Sequence, residues 1–502
     1  MNRVEGDLQI KLEVEGNTVT DAWCVGSMYR GYEQVLLGRE PTDALVFGPR
    51  ICGICSTSHL YAAALALEDA GQIPVTANAT RIRNLCLMAE AVMNDARHTF
   101  LMFAPDFCNL AYKKHPLFGA VVAAFEPPFR GRLARECVQN TKHILGIIVQ
   151  FGGQWPHSTY MMPGGVTCPL TLDKLANCLA IIEKYVEWYE REVLGCCRDR
   201  WLSLKSVDDF NRWLDESESH RSSGVGLITR FGRSVGLQNV GKGASNLLSA
   251  GCYYEPEKWQ PPYDNQNVLI AGGFYDAETH GISRFSHLAI TEHVRHSWFK
   301  DYGGGRHPWE GETTPDYQPD SDRYSFAKAP RYNGEVVQLG PLAELVIGGD
   351  PLVTSFFRAE GSNTWLRQFA RLHRPIGILR RMREHVEDLI ANIDEPTFVK
   401  SDPPREGAGC GFVNAARGSL GHWLRIADGK IKNYQVITPT TWNGSPRDSL
   451  GKRGHWEESF VGLEIADLDN PVEVAHLIRS HDACLVCTVH FAKTGKRITY
   501  QT

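Results

Sequence analysis

No uninterrupted apolar stretch in this chain approaches the roughly 20 residues that a membrane-spanning helix needs, and no tandem repeat or low-complexity linker interrupts it. A transmembrane span and a solenoid are excluded on that ground, and length alone gives no reason to cut the chain into domains. Residues 1–7 run directly into a strand pattern, so no Sec or Tat leader is expected, although a subunit can travel with a partner that carries the signal. There is no excess of basic charge: the formal net charge is -5 with acids and bases intermixed, which argues against nucleic acid or anionic lipid as a partner. Fourteen cysteines in 502 residues are too few for a disulfide scaffold. Most of them, such as Cys86, Cys137 and Cys178, sit singly in apolar helical patterns, as small buried hydrophobes of a protein in a reducing cytosol do. What remains, 43% hydrophobic and 22% charged, is the balance of a folded protein with a large core.

Alternation of Leu8, Ile10, Leu12 and Val14 with polar residues, then Gly16-Asn17, predicts an amino-terminal hairpin that continues over 18–25. Helical periodicity runs over 60–70, 79–103, 132–150, 172–194 and 364–393, the last with Pro375 as a kink or break. These read as the long helices of a central bundle. Between about 202 and 358 the pattern loosens into Gly, Pro and aromatic residues, with short strand candidates at 268–272 and 335–339, and is taken as irregular surface structure. A second hairpin is expected over 420–438, and a helix over 472–480. The fold class is α+β, mainly helical, with small peripheral antiparallel sheets.

Two C-x-x-C pairs stand near opposite ends, Cys52 with Cys55 and Cys484 with Cys487, each followed closely by a histidine, His59 and His490. Four thiolates brought together make a soft tetrahedral site that suits structural zinc, an iron-sulfur cluster or a thiophilic redox metal such as nickel. Structural zinc ligands usually cluster locally, whereas these pairs lie roughly 430 residues apart, which weighs against zinc. No further cysteine sets supply an electron relay, so electrons made here must leave through another polypeptide. His59 falls one helical turn past Cys55, on the same face. A lone histidine at that spacing is more often a satisfied core residue.

The segments around these pairs carry a family resemblance. R-I-C-G-I-C-S-T-S-H at 50–59 and D-A-C-L-V-C-T-V-H at 482–490, with N-R-V-E-G-D at 2–7, M-Y-R-G-Y-E at 28–33, G-G-Q-W-P-H-S at 152–158, A-A-R-G-S-L-G-H-W at 415–423 and K-N-Y-Q-V-I-T-P-T-T-W-N at 432–443, resemble the signatures of nickel-iron hydrogenase large subunits. The resemblance covers essentially the whole chain and is closest to the cytosolic uptake and hydrogen-sensing branch. It implies nickel held by Cys52, Cys55, Cys484 and Cys487, with Cys55 and Cys487 bridging to an iron that carries cyanide and carbon monoxide. It further implies that Cys484 takes the proton when H2 is split, that Glu5 relays it onward, and that Arg417 overhangs the open metal position. Alone, Glu5 would read as a surface acid beside Arg3, and Arg417 as one half of an ion pair, for which the resemblance offers Asp106. Pro439 and Thr440 match positions that contact the iron's diatomic ligands, Thr440 as a donor, and His59 tunes the bridging sulfur. Glu33, His490 and the backbone carbonyl of Val436 match the ligands of magnesium.

Two departures from the pattern are Ala416 and Ala483, where many relatives have proline. Neither removes a donor, and altered gas access or oxygen response is the expected consequence. The resemblance makes residues 1–490 one domain and 491–502 an extension removed by a maturation endopeptidase after nickel-insertion factors have acted. The expected role is the catalytic subunit of a cytoplasmic uptake hydrogenase, membrane-associated only through partners, paired with an iron-sulfur small subunit and open to higher assembly. The alternative is a low-turnover hydrogen sensor.

Overall fold

The structure is a computed structural model that describes residues 8–263 and 266–484. Strands β1 (Leu8–Glu15) and β2 (Thr18–Gly26) form the expected antiparallel hairpin, turned at Gly16 with φ 63°. Helix α1 (Ser56–Gly71) is buried on every side from Ser56 to Asp69, and α2 (Ala77–Arg97) likewise from Asn78 to Ala96. Such helices belong to the interior of a large protein, where a polar face would find no water. Thr76 caps α2 by accepting from the Ala79 amide. The expected single helix over 79–103 widens after Arg97 into a π-helical turn, His98–Phe103.

Helix α3 (Arg132–Ile144) ends one residue before a separate turn of helix, Gly146–Gly152, so the span 132–150 is two pieces. Helix α4 (Leu172–Trp188) also passes into a π-helical turn, Tyr189–Leu194. Helix α5 (Thr364–Ala391), capped by Asn363, continues straight through Pro375 in the helical state. The lost N–H bond there is outweighed by packing, because every residue from Thr364 to Ile376 is buried.

The stretch 202–358 corrects the expectation of irregular surface structure. It contains the helices Val207–Glu216, Gly224–Ser234, Pro341–Ile347 and Pro351–Glu360 and buries Trp213, Trp259 and Tyr332. Pro341 and Pro351 open helices instead of breaking them, which is where a residue without an N–H is tolerated. Of the two strand candidates, Val268–Ile270 is a strand, while 335–339 makes only isolated bridges.

Strands β3 (Gly407–Ala415), β4 (Gly418–Ala427) and β5 (Lys430–Ile437) form one antiparallel sheet in that order, so the expected hairpin gains a third strand. This sheet lies inside the molecule, with α1 packed across β3 and β4. Gly407, Gly409 and Gly411 make that approach possible: a Cβ on each would strike, in turn, the backbone carbonyls of Ala70, Ala66 and Ala62. Alternate positions of a strand thus meet every fourth residue of a helix, backbone on backbone. The short helix α6 (Pro439–Asn443) follows β5, and α7 (Val472–Ser480) covers the residues expected. The main apolar core takes side chains from Leu36 through to Tyr434. Among the described residues no helix is long and apolar enough to cross a membrane.

Candidate metal centre

Cys52 and Cys55 stand on the turn that opens α1. Cys55 supplies no side-chain cap. The helix's free amides are instead taken by Glu90 of α2, whose carboxylate accepts from Thr57 N (2.8 Å), Ser58 N (3.0 Å) and Ser58 Oγ (2.6 Å). A buried carboxylate at a helix start satisfies donors that would otherwise be orphaned and meets the positive end of the dipole. Trp155 Nε1 donates to the same carboxylate at 3.3 Å, which ties the 152–158 motif to this turn.

Cys484 arrives from the other end of the chain, four residues beyond α7. Its amide donates to Thr440 Oγ1 at 3.2 Å, and its sulfur lies 3.4 Å from that of Cys52. The sulfurs of Cys52, Cys55 and Cys484 all lie within 4.8 Å of one another, and all three residues are buried. Sulfurs on a tetrahedral metal with bonds near 2.3 Å would be about 3.8 Å apart, so this spacing fits a shared metal. Cys487, Glu5 and His490 lie outside the described residues.

Arg417, at the turn between β3 and β4, donates from Nε to the Asp482 carbonyl (3.0 Å) and pairs through Nη2 with Asp482 Oδ1 (2.9 Å). Its Nη1 is buried with no hydrogen-bond partner among the described residues. Burial alone would weaken its charge, but the Asp482 carboxylate and then the thiolates of Cys484, Cys55 and Cys52 hold the guanidinium charged well above its ordinary range. Asp482 shows the converse. Burial works against its ionisation, yet Arg417 first, then His98 and Arg371, hold its carboxyl well below the usual carboxylate range. Asn94 Nδ2 completes the set by donating to Asp482 Oδ2 at 2.7 Å.

The acid holding Arg417 is therefore Asp482, and the assignment of that role to Asp106 is corrected. Asp106 accepts two bonds from Arg479 Nη1, at 2.7 and 2.6 Å, and so anchors the end of α7 that leads into Cys484. Asp482 was visible in the sequence only as part of a motif. A second missed group is the row Arg367, Arg371 and Arg374 on α5. Arg374 pairs with Asp95 and Glu344 and donates to the Ala416 carbonyl at 3.0 Å, while Arg367 Nε donates to Ser480 Oγ at 2.8 Å. Their spacing of four and three places them on one helix face, a signal that periodicity alone could have given.

Cys55, His59, Arg417, Pro439, Thr440 and Cys484 line one narrow cavity. Pro439 opens α6 and Thr440 follows it, so the start of this helix brings both to the cavity that Cys55 and Cys484 also line. Thr440 accepts from Cys484 N through its oxygen, which leaves its hydroxyl proton available as the expected donor. His59 Nδ1 is 3.0 Å from His422 Nε2, and His422 Nδ1 is 2.6 Å from the Tyr434 hydroxyl.

Glu33 and Val436 are adjacent, with a change of atom from the expectation: the Val436 amide, not its carbonyl, makes the contact, donating to Glu33 Oε1 at 2.8 Å. Lys328 Nζ sits 3.3 Å from the same oxygen and also meets Glu292 (2.8 Å) and Gln435 Oε1 (2.7 Å). Burial, against the attraction of Lys328 and with Glu33 adding repulsion, pushes Glu292 up to about 7.

A buried thiolate trio closed from both ends of the chain, under a guanidinium fixed by a buried carboxylate, defines a thiolate metal centre in an α+β protein. The family model described as nickel-dependent hydrogenase matches residues 30–116 and 136–490, and the chain belongs to that family. It is a hydrogenase large subunit and an oxidoreductase, of a kind that pairs with a small subunit. It is 31% identical to the periplasmic [NiFeSe] hydrogenase large subunit of Desulfomicrobium baculatum, over 99% of this chain and 95% of that one. It is 29% identical to the uptake hydrogenase large subunit of Rhizobium leguminosarum bv. viciae, over 98% and 94%. Among solved structures, the Ni-Fe-Se hydrogenase of D. vulgaris Hildenborough in the reduced state superposes with a TM-score of 0.79 at 29% identity, covering 97% of each chain.

Proposed function

We propose that this chain is the catalytic large subunit of an uptake hydrogenase that splits H2 into protons and electrons and passes the electrons to an iron-sulfur small subunit. The observation that carries the reading is the cluster of three buried sulfurs, two of whose cysteines line one cavity with Arg417, whose Nη1 is buried with no hydrogen-bond partner among the described residues. Cys52, Cys55, Cys484 and Cys487 would hold a nickel-iron centre, which when bound supplies the two-electron chemistry, its iron carrying cyanide and carbon monoxide. The thiolates suit it as strong, soft donors. Cys484 accepts a proton on sulfur and hands it on toward Glu5. Arg417, kept charged and held in place by its bonds to Asp482, lines the cavity, and its fixed charge would favour the separation of charge in the bond being broken. Pro439 and Thr440, which line the cavity, would stand beside the iron's diatomic ligands, one as an apolar wall and the other as a donor.

Magnesium would be held by Glu33, the backbone carbonyl of Val436 and His490, with the Lys328 ammonium sharing the Glu33 carboxylate. The cytosol is the proposed compartment, and the free cysteines, with no disulfide among the described residues, agree with it. Removal of residues 491–502 belongs to the same reading, with the active form ending at His490.

Elemental analysis of the mature complex, joined to infrared detection of iron-bound cyanide and carbon monoxide, tests the centre. Nickel is expected with those bands, together with iron in excess of it because the small subunit's iron-sulfur clusters add their own, and zinc alone would sink the assignment. Intact mass of the active subunit tests the ending. Rapid hydrogen uptake with a dye acceptor is expected of the enzyme, whereas a sensor would turn over slowly.

A further inference from the structure

Cys55 shares its cavity with His59, and the ring of His59 is held from behind. Its Nδ1 is engaged by His422 Nε2 at 3.0 Å, and His422 Nδ1 is in turn engaged by the Tyr434 hydroxyl at 2.6 Å. His59, His422 and Tyr434 are all at most 1% exposed, so bulk water offers none of them a substitute partner. The line is built by the sheet. Across β4 and β5 the register pairs His422 with Val436 and Leu424 with Tyr434, which makes His422 and Tyr434 diagonal neighbours on one face, the face that meets α1 at His59.

We propose that Tyr434 and His422 are positioning residues for the metal centre, fixing His59 in the tautomer whose Nε2 carries the proton and presents it to the Cys55 side of the cavity. The direction of the line follows from its ends. A metal-bound thiolate can only accept, so the histidine nitrogen serving it must donate. At the other end the Tyr434 hydroxyl lies 2.6 Å from His422 Nδ1, and a phenol O–H is a ready donor to an imidazole lone pair. Tyr434 O–H therefore donates to His422 Nδ1, His422 Nε2–H donates to His59 Nδ1, and the proton of His59 is left on Nε2. The reverse order would set a bare nitrogen lone pair against the sulfur and strand the phenol proton. No side chain in the line needs to change its charge.

The inference rests on Cys55 being a metal-bound thiolate, and the test separates the two. In the purified heterodimer, Tyr434→Phe, His422→Leu and His422→Gln are compared by the infrared stretch of the iron-bound carbon monoxide and by dye-coupled hydrogen uptake. Losing the N–H donor makes the sulfur a stronger electron donor to the metals, so Tyr434→Phe and His422→Leu should both move the carbon monoxide band to lower frequency. His422→Leu should lower uptake by about 10–100-fold, the usual effect of removing such a partner, and Tyr434→Phe by less. His422→Gln, which keeps an N–H for His59 Nδ1, should return the band toward its original position. Bands at the wild-type frequency in Tyr434→Phe, whose ring fills the same space, would overturn the inference whatever the His422 variants do. Absence of the bands from the wild-type complex would overturn the metal-centre reading itself, and this inference with it.

Discussion

The two halves of the sulfur site are held by different forces. The Cys52–Cys55 half rides on the start of α1, which is fixed by close contact of backbones along Gly407, Gly409 and Gly411 and by Glu90 accepting its first amides. The Cys484 half hangs from a short segment after α7, and what fixes it is charge: Asp482 with Arg417, Asp106 with Arg479, and the arginine row of α5 reaching Ser480 and Ala416. Packing forces fall off within an ångström or so and are indifferent to pH. Buried ion pairs hold firmly only while both partners are present, because each charge has already lost its water. The first half should therefore fail by overcrowding, and the second by loss of a single charge.

Asp482→Ala is the harshest way to expose that difference. It leaves Arg417 buried and unpaired, and removes the acid beside Arg371 and His98. Removing one partner of a buried pair costs about 3–5 kcal/mol, to be read by denaturant unfolding of the subunit in its complex, together with a loss of hydrogen uptake as Arg417 leaves its place. A variant within 1 kcal/mol of wild type would show that the ion pair does not hold this half. Gly411→Ala attacks the other half. The added methyl would strike the Ala62 carbonyl and also meet Ala66 N, both of them backbone and unable to swing aside. Overpacking of this kind costs about 1–3 kcal/mol, and the loss should be the same at about pH 6 as at pH 7.5.

How much of this was legible beforehand follows the same division. The hairpin over residues 8–26 and the helix at 472–480 could be read from local pattern, since alternation and 3.6-residue periodicity are properties of neighbouring residues. The cysteines were legible because their spacing has a chemical meaning. Strand β3 was not anticipated, because glycine is depleted in strands and only the helix lying against it explains these glycines. Asp482 was passed over in favour of Asp106 because an ion pair across the fold leaves no trace in spacing: both acids precede the site, and which arginine each meets is decided by tertiary packing. The stretch 202–358 misled for a related reason, its prolines marking helix starts that look from sequence like interruptions.

The smallest predicted effect is also the most specific to the charged half. His98 lies 3.9 Å from Asp482 Oδ1, with Arg371 and Arg417 beyond that carboxylate, and its Nδ1 has no partner among the described residues. Burial, only partly countered by Asp482 and reinforced by the two arginines, pushes its pKa down to about 3. Unfolded, the ring titrates near 6.5. Between these values the unfolded chain binds the extra proton, so the contribution of a neutral His98 to stability is present at higher pH and is lost as pH falls below about 6.5. From about pH 7.5 to pH 6 the loss amounts to ~0.8 kcal/mol. Glu292 and Glu457, both pushed up to about 7 by burial, take up protons in the folded state over the same window and act in the opposite sense. Wild type alone therefore blurs the effect, and the useful quantity is the difference between wild type and His98→Gln. Relative to wild type, the variant should gain that ~0.8 kcal/mol on acidification, read by denaturant unfolding at the two pH values, because glutamine has no proton to take up. Gly411→Ala, measured alongside, should show no such change. If both variants kept a constant offset from wild type, the charged half would be no more sensitive to pH than the packed half, and the division between them would fall.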